Sequence, residues 1–166
     1  MFGSAVSGAE WRVVTDPATD RLVLRVGVPA ELDGSTMYQI LRQRVDVFVV
    51  EQACAYPELD GRDLEPGARW LWAQAGDRVL GSLRLLAEPD GSVRIGRVVI
   101  AAEARSAGVG RQLMTRALEL VGTGIPVLLS AQSHLEGWYG RLGFVRTGPD
   151  FVEDRIPHVP MRREPG

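Results

Sequence analysis

Cysteine is almost missing from the 166-residue sequence. Cys54 stands alone, which excludes an internal disulfide and a cysteine-based zinc cluster. Histidine is nearly as scarce: His134 and His158 are the only two, so other metal ligands are few and no metal is expected. Charge of one sign is lacking as well. Nineteen basic residues against 21 acidic ones leave a net charge of -2 and a pI near 5.7, which gives no broad basic surface to grip a phosphate backbone. Nucleic acid is therefore not an expected partner. No apolar run reaches the length of a membrane span, and the start, Met1 to Ala5, lacks the basic and apolar regions of a secretory signal. The expectation is a cytoplasmic protein without a membrane partner. What remains is 45% hydrophobic and 24% charged, a globular composition in a chain long enough for one well-buried core.

Residues 1–20 contain small residues and the breaker Asp16-Pro17, and read as a tail and lead-in; residues 21–166 read as a single domain. Leu22, Leu24 and Val26 alternate with Val23 and Arg25, predicting a strand that ends near Pro29. Asp33 or Ser35 is placed to cap a helix with Met37, Ile40, Leu41, Arg44, Val45 and Phe48 along one stripe. Cys54 to Gly67, rich in acids, Pro and Gly, predicts an irregular loop whose Asp60, Asp63 and Glu65 are solvated. Trp70–Ala75 and Val79–Ala87 suggest a hairpin through Gly76-Asp77, followed by a strand over Val93–Ile100. Trp70 and Trp72 fall on one face of their strand. A helix follows from Gly108 to about Val121, with Leu113, Ala117, Leu118 and Val121 inward. Then come a buried strand at Val127–Ala131, a short helix at Leu135–Leu142, and a terminal strand pair from Phe144 interrupted by Gly148-Pro149. This order predicts an α/β (α+β) layer on a mixed sheet.

Between the strand at Val98-Val99-Ile100 and the helix lies Arg105-Ser106-Ala107-Gly108-Val109-Gly110-Arg111-Gln112. Two glycines two residues apart let the backbone tighten and approach a ligand. The first amides of the helix lack intrahelical partners and carry partial positive charge, so the segment reads as an anion cradle. A P-loop needs Lys then Ser or Thr after its last Gly, and Arg111-Gln112 stand there. The dinucleotide fingerprint needs a small residue where Leu113 stands.

Arg-x-x-Gly-x-Gly between a strand and a helix resembles the acetyl-coenzyme A pyrophosphate loop of the GNAT N-acetyltransferases. About thirty residues on, Tyr139-Gly140-Arg141-Leu142-Gly143-Phe144 is similar to the Tyr-x-x-x-Gly-Phe pattern of those enzymes. Val47-Phe48-Val49-Val50-Glu51-Gln52, Ala131-Gln132-Ser133-His134 and Ile156-Pro157-His158 resemble the ElaA-like subgroup. Arg155 stands where that subgroup commonly has Gly. The resemblance spans roughly residues 36–163. It implies a GNAT-type, mostly antiparallel sheet flanked by helices on both faces, acetyl-CoA as donor, and a small-molecule or peptide amine as acceptor.

By position, the resemblance implies that Val98, Val99 and Ile100 meet the pantetheine arm, and that Arg105 to Gln112 cradle the pyrophosphate. It implies Tyr139 as donor of a proton to the departing thiolate, consistent with an ordinary tyrosine pKa of about 10. A strand amide near Val98 would stabilise the oxyanion. Glu51, His134, Glu153 and His158 are candidates for the base, with Glu51 and His158 taken as site-lining. Arg84 and Arg97 interrupt apolar strands, where an unpaired charge is costly; pairing with Glu51 or Asp60 would shape an acceptor pocket that also includes Gln132 and His134. A noncatalytic acyl-CoA sensor or interaction module is the alternative, and a longer acyl donor is a third reading.

Overall fold

The computed structural model describes residues 21–166; the expected tail over residues 1–20 lies outside the described residues. Strand β1 covers Val23–Gly27. Helix α1, Gly34–Arg44, starts where the Asp33 carboxylate accepts from the Thr36 amide at 2.9 Å. That bond satisfies one of the donors a helix start leaves unpaired. The helix does not stop at Arg44 but widens into a π-helical stretch, Val45–Glu51. Strands β2 (Arg69–Ala75), β3 (Arg78–Ala87) and β4 (Val93–Ile100) form the antiparallel meander expected from their turns.

Helix α2 spans Val109–Val121 and leads into β5, Val127–Gln132. The predicted short helix starts as a 3-10 turn at Ser133–Leu135 and continues as α3, Glu136–Gly140. The end of the chain differs from the expected strand pair. Three strands form there: β6 (Val145–Arg146), β7 (Phe151–Glu153) and β8 (Ile156–Arg163). Gly148-Pro149 separates β6 from β7, and a tight turn after Glu153 supplies the extra break. Among the described residues no helix is long and apolar enough to cross a membrane.

Side-chain alternation along β2 divides the core between the sheet's two faces. Trp70 and Trp72 pack with Ile40, Val79, Met37 and Leu41 under α1. Leu71 and Ala73 point the opposite way, into the larger cluster with Leu113, Met114 and Ala117 of α2, Tyr139 of α3 and Phe144. Leu71, Leu113 and Val127 are fully buried, each contributing roughly 1.5–3 kcal/mol by leaving water.

The strands run in the order β1-β2-β3-β4-β5-β8-β6, with β7 on β8. Only β4 and β5 are parallel, and they pair at just Val93↔Val127 and Arg94↔Leu128. Beyond Arg94 the two strands part. On its other edge β4 is also irregular: the register with β3 shifts between Ser82 and Arg84, and Arg97 sits at a φ of 53°. The local kink and twist of such an irregularity turn β4 away from β5.

A second irregularity concerns Arg155. Glu153 pairs with Ile156, so Asp154 and Arg155 form a two-residue hairpin turn with φ of 50° and 68°. Two positive φ values define the turn that favours Gly at its second position, because a Cβ there meets backbone. Arg155→Gly is expected to stabilise the fold by roughly 0.5–1 kcal/mol, read as a rise of about 2 °C in Tm. A fall in Tm would contradict this account of the turn.

Candidate active site

Gly108 adopts a φ of 78° just before α2, with Ser106 at 68° two residues earlier. No side chain caps the helix. The first α2 amide with a backbone acceptor is that of Gln112, which donates to the Gly108 carbonyl at 3.1 Å. The preceding amides, of Val109, Gly110 and Arg111, therefore face outward at the positive end of the helix dipole. Gly108 to Arg111 line the rim of a cavity of about 1300 Å³. An anion is the ligand this geometry favours.

The cavity continues from the rim into the parting between β4 and β5, bounded by Ile95 to Ile100 on one side and Leu129, Ser130 and Gln132 on the other. The Ala101 amide donates to Leu80 of the β3 side at 2.9 Å. By alternation the backbone groups of Val98 and Ile100 turn toward the gap. An extended ligand can therefore pair with β4 where β5 does not.

Tyr139 is held at the wall of this gap. Its ring meets Trp138 edge-on at 4.8 Å and Phe144 at 6.1 Å. The side chain is nearly buried, and burial pushes its pKa up to about 12. The hydroxyl accordingly stays protonated across the physiological range and is available as a donor.

The predicted acid and histidine candidates have different surroundings. Glu51, at the end of the π-helical stretch, accepts two hydrogen bonds from Arg105 at 2.8 and 2.7 Å. Those bonds hold its carboxyl below the usual range. Such a carboxylate is a poor proton acceptor, and its geometry is that of an anchor for the glycine loop. His158 pairs in register with Gln132, and its ring stacks on Phe151. Its Nδ1 lies 2.8 Å from the Ile156 carbonyl. A carbonyl only accepts, so Nδ1 carries a proton, and in the neutral imidazole Nε2 is then the acceptor. His134 lies in the turn after β5, and both histidines and Glu153 line the cavity. Gln132 donates to Gln52 at 3.1 Å, and the Cys54 thiol donates to the Asp154 carbonyl at 2.9 Å. These two bonds tie the chain after α1 to β5 and the β7–β8 turn. Gln52, which closes the Val47–Gln52 stretch but carried no assigned role, is a lining residue.

Of the two partners expected for Arg84 and Arg97, Asp60 is the one they meet, while Glu51 pairs with Arg105. Arg84 grips Asp60 with two bonds, at 2.8 and 3.0 Å, and Arg97 reaches the same carboxylate at 3.1 Å. The loop holding Asp60 is not simply solvated. Glu58 and Asp63 are buried, with Arg44 at 1% exposure lying 2.5 Å from Glu58 and 2.9 Å from Asp63. Arg97 also approaches Glu58 at 2.9 Å, Trp70 donates to Asp63, and the Tyr56 hydroxyl donates to Glu58. Arg44, Arg84 and Arg97 thus balance Glu58, Asp60 and Asp63 beneath one end of the cavity. In the sequence the cluster shows itself in Arg84 and Arg97 interrupting apolar strands and in Arg44 standing on an otherwise apolar helical stripe. Burial alone would raise Asp60, but the hydrogen bonds and charge of Arg84 outweigh it and hold that carboxyl at about 2. Asp63 is likewise held low, burial being outweighed by the bonds and charge of Arg44.

A family model described as Acetyltransferase (GNAT) domain matches residues 38–165. A UPF0039 protein of Mycobacterium tuberculosis strain H37Rv is 46% identical over 137 residues, which is 80% of this chain and 87% of that protein. Protein ElaA of Escherichia coli is 39% identical over 140 residues, 81% of this chain and 92% of that one. Among solved structures, an acyl-CoA N-acyltransferase from Pseudomonas aeruginosa superposes with a TM-score of 0.80 at 44% identity. The match covers 86% of this chain and 99% of that one. The E. coli ElaA structure gives 0.81 at 36%, covering 87% of this chain and all of that one at 100%.

Two outcomes follow from the buried charges. Arg44→Ala leaves Glu58 and Asp63 without their main cation and is expected to cost roughly 3–5 kcal/mol in denaturant unfolding; a loss near zero would contradict the pairing. Asp60 is depressed on folding, so its stabilisation is full above the ordinary value of 3.8 and is lost as pH falls toward about 2. Tm is expected to hold down to about pH 4 and drop below it, and Asp60→Asn should flatten that drop. An unchanged profile in the variant would contradict the assignment.

Proposed function

We propose that this chain, which belongs to the GNAT acetyltransferase family, transfers an acetyl group from acetyl-CoA to an amine. An acyl-CoA acyltransferase is the coarser statement that family and fold carry. The amine acceptor draws support from the P. aeruginosa relative, described as an N-acyltransferase. The observation that bears the reading is one continuous path. It runs from the unpaired amides at the start of α2, along the edge of β4 that β5 leaves open, where Arg105 Nε donates to the Ile100 carbonyl at 3.3 Å, to Tyr139.

The residues fit such a donor. Amides of Gly108 to Arg111 would hold the pyrophosphate without a lysine, of which the sequence has none. Arg105, steadied by Glu51, would flank it. Val98 and Ile100 would hydrogen-bond the pantetheine arm as a neighbouring strand does. The amine then attacks the thioester carbon, forming the C–N bond while the carbonyl oxygen takes up charge near the Val98 amide. His158 Nε2 accepts the amine proton, directly or through water. When the C–S bond breaks, Tyr139 gives its proton to the sulfur and regains one from solvent. The products are an amide and free CoA thiol, with no covalent enzyme intermediate. Among the expected bases, His158 is preferred to Glu51 because Glu51 is engaged by Arg105.

Tyr139→Phe is expected to lower kcat by about 10²-fold or more and leave acetyl-CoA affinity nearly unchanged, measured as CoA thiol release beside a binding titration. Equal turnover in the two proteins would remove Tyr139 from the proton path. His158→Gln should lower kcat by about 10²-fold or more with acetyl-CoA affinity nearly unchanged in the same paired assay; an unchanged kcat would assign the base elsewhere.

A further inference from the structure

The end of the cavity away from the glycine loop is lined by arginines with donors to spare. Arg62, Arg84, Arg94 and Arg97 all reach it, together with Asp60 and Glu88. Asp60 is already filled: it accepts from Arg84 twice, from Arg97 and from the Arg62 amide. Glu88 takes Arg94 Nε at 2.6 Å, and Arg62 stands 3.5 Å from the same oxygen. Arg62 spends Nε and Nη2 on Glu65. The remaining donors are specific. Among the described residues, both terminal nitrogens of Arg94 and Nη1 of Arg62 and of Arg97 have no hydrogen-bond partner. Arg94 matters most, because engaging Nε on Glu88 fixes its plane and leaves the two terminal nitrogens presented together. That fork matches the two oxygens of a carboxylate.

Position along β4 relates this end to the chemistry. Arg97 marks the irregularity in the β3–β4 register, and Arg94 is the last β4 residue paired with β5. Two residues of strand, Ile95 and Gly96, separate them, a span of about 10 Å. A molecule whose nitrogen sits beside Val98 can therefore extend along β4 past Arg97, and the roughly 13 Å of strand from Val98 to Arg94 is closed by an acceptor up to dipeptide length, about 7 Å, together with the reach of the arginine side chain. Resting on the acyl transfer proposed above, we infer that the acceptor is an amine carrying a carboxylate, received by Arg94 with Arg97 beside it. Asp60 is not the complementary group for a polyamine, since the arginines and the Arg62 amide already fill it.

The test compares matched acceptors. L-alanine, β-alanine and alanyl-alanine are each assayed beside the corresponding carboxamide, with CoA thiol release as readout and ethanolamine phosphate and propylamine as further arms. At least one free acid is expected to exceed its carboxamide in kcat/KM by about 10- to 100-fold, the worth of a charge-assisted contact. Arg94→Gln should bring that ratio close to one, while Arg94→Lys retains part of it. A role for Arg94 in folding alone would lower both members of a pair equally and leave the ratio intact. Equal rates for acids and amides, a faster carboxamide, or preference for the phosphate or for propylamine overturns the inference. So does turnover of no carboxylate-bearing amine. If acetyl-CoA still raises Tm in that case, the donor site stands and only the acceptor assignment falls; no rise removes the acyl-transfer reading as well.

Discussion

The parallel contact between β4 and β5 lasts for two residue pairs and then ends, and the rest of the site depends on that failure. Backbone donors and acceptors inside a sheet are normally paired, and a strand edge opened within a fold must find partners elsewhere. Here the edge is kept open by what anchors each strand on its other side. β4 is bound to β3 through an irregular register around Arg97, and β5 is bound to β8 from Val127 to Gln132. The core under α2 fixes the hinge of the opening, since Ile95, Val127 and Leu129 are buried in one cluster. The helix that links the two strands across the sheet begins at the mouth of the same gap. Its unpaired amides and the open strand edge are two parts of one surface.

The opposite face of the sheet is stabilised by charge rather than by oil alone. Arg44, Arg84 and Arg97 come from α1, β3 and β4, and their carboxylate partners all come from one irregular loop. A loop of that length would be free to move without them. Because each carboxylate is shared between arginines, removing one cation exposes others, and the cost of a single substitution is spread unevenly through the cluster. The cluster thereby fixes where Tyr56 and Asp60 stand along the cavity. It also leaves Arg94 and Arg62, at its edge, with donors that the loop does not use.

Much of this was legible in the sequence. Strand alternation and turn residues placed β1 to β5 within a few positions, and Asp33 was recognisable as a cap. The glycine loop declared itself through the residues it lacked for other phosphate-binding motifs. Less legible were features set by tertiary contact. The π-helical extension of α1 has no local signal separate from an ordinary apolar stripe. The β6 and β7 strands are too short to show a period. The acidic loop looked solvated because composition does not reveal that Arg44, fourteen residues before Glu58, would turn inward to meet it. The pairing of Glu51 with Arg105 joins residues 54 positions apart, and only the fold brings them together.

The central claim is that acetyl-CoA lies along the open edge of β4 with its phosphates on the start of α2. Amide hydrogen exchange with and without acetyl-CoA tests this most directly. The account predicts slowed exchange at Val98 and Ile100 and across Gly108 to Arg111, with β1 and β2 unaffected. Binding accompanied by protection elsewhere, and none at these two segments, would contradict it.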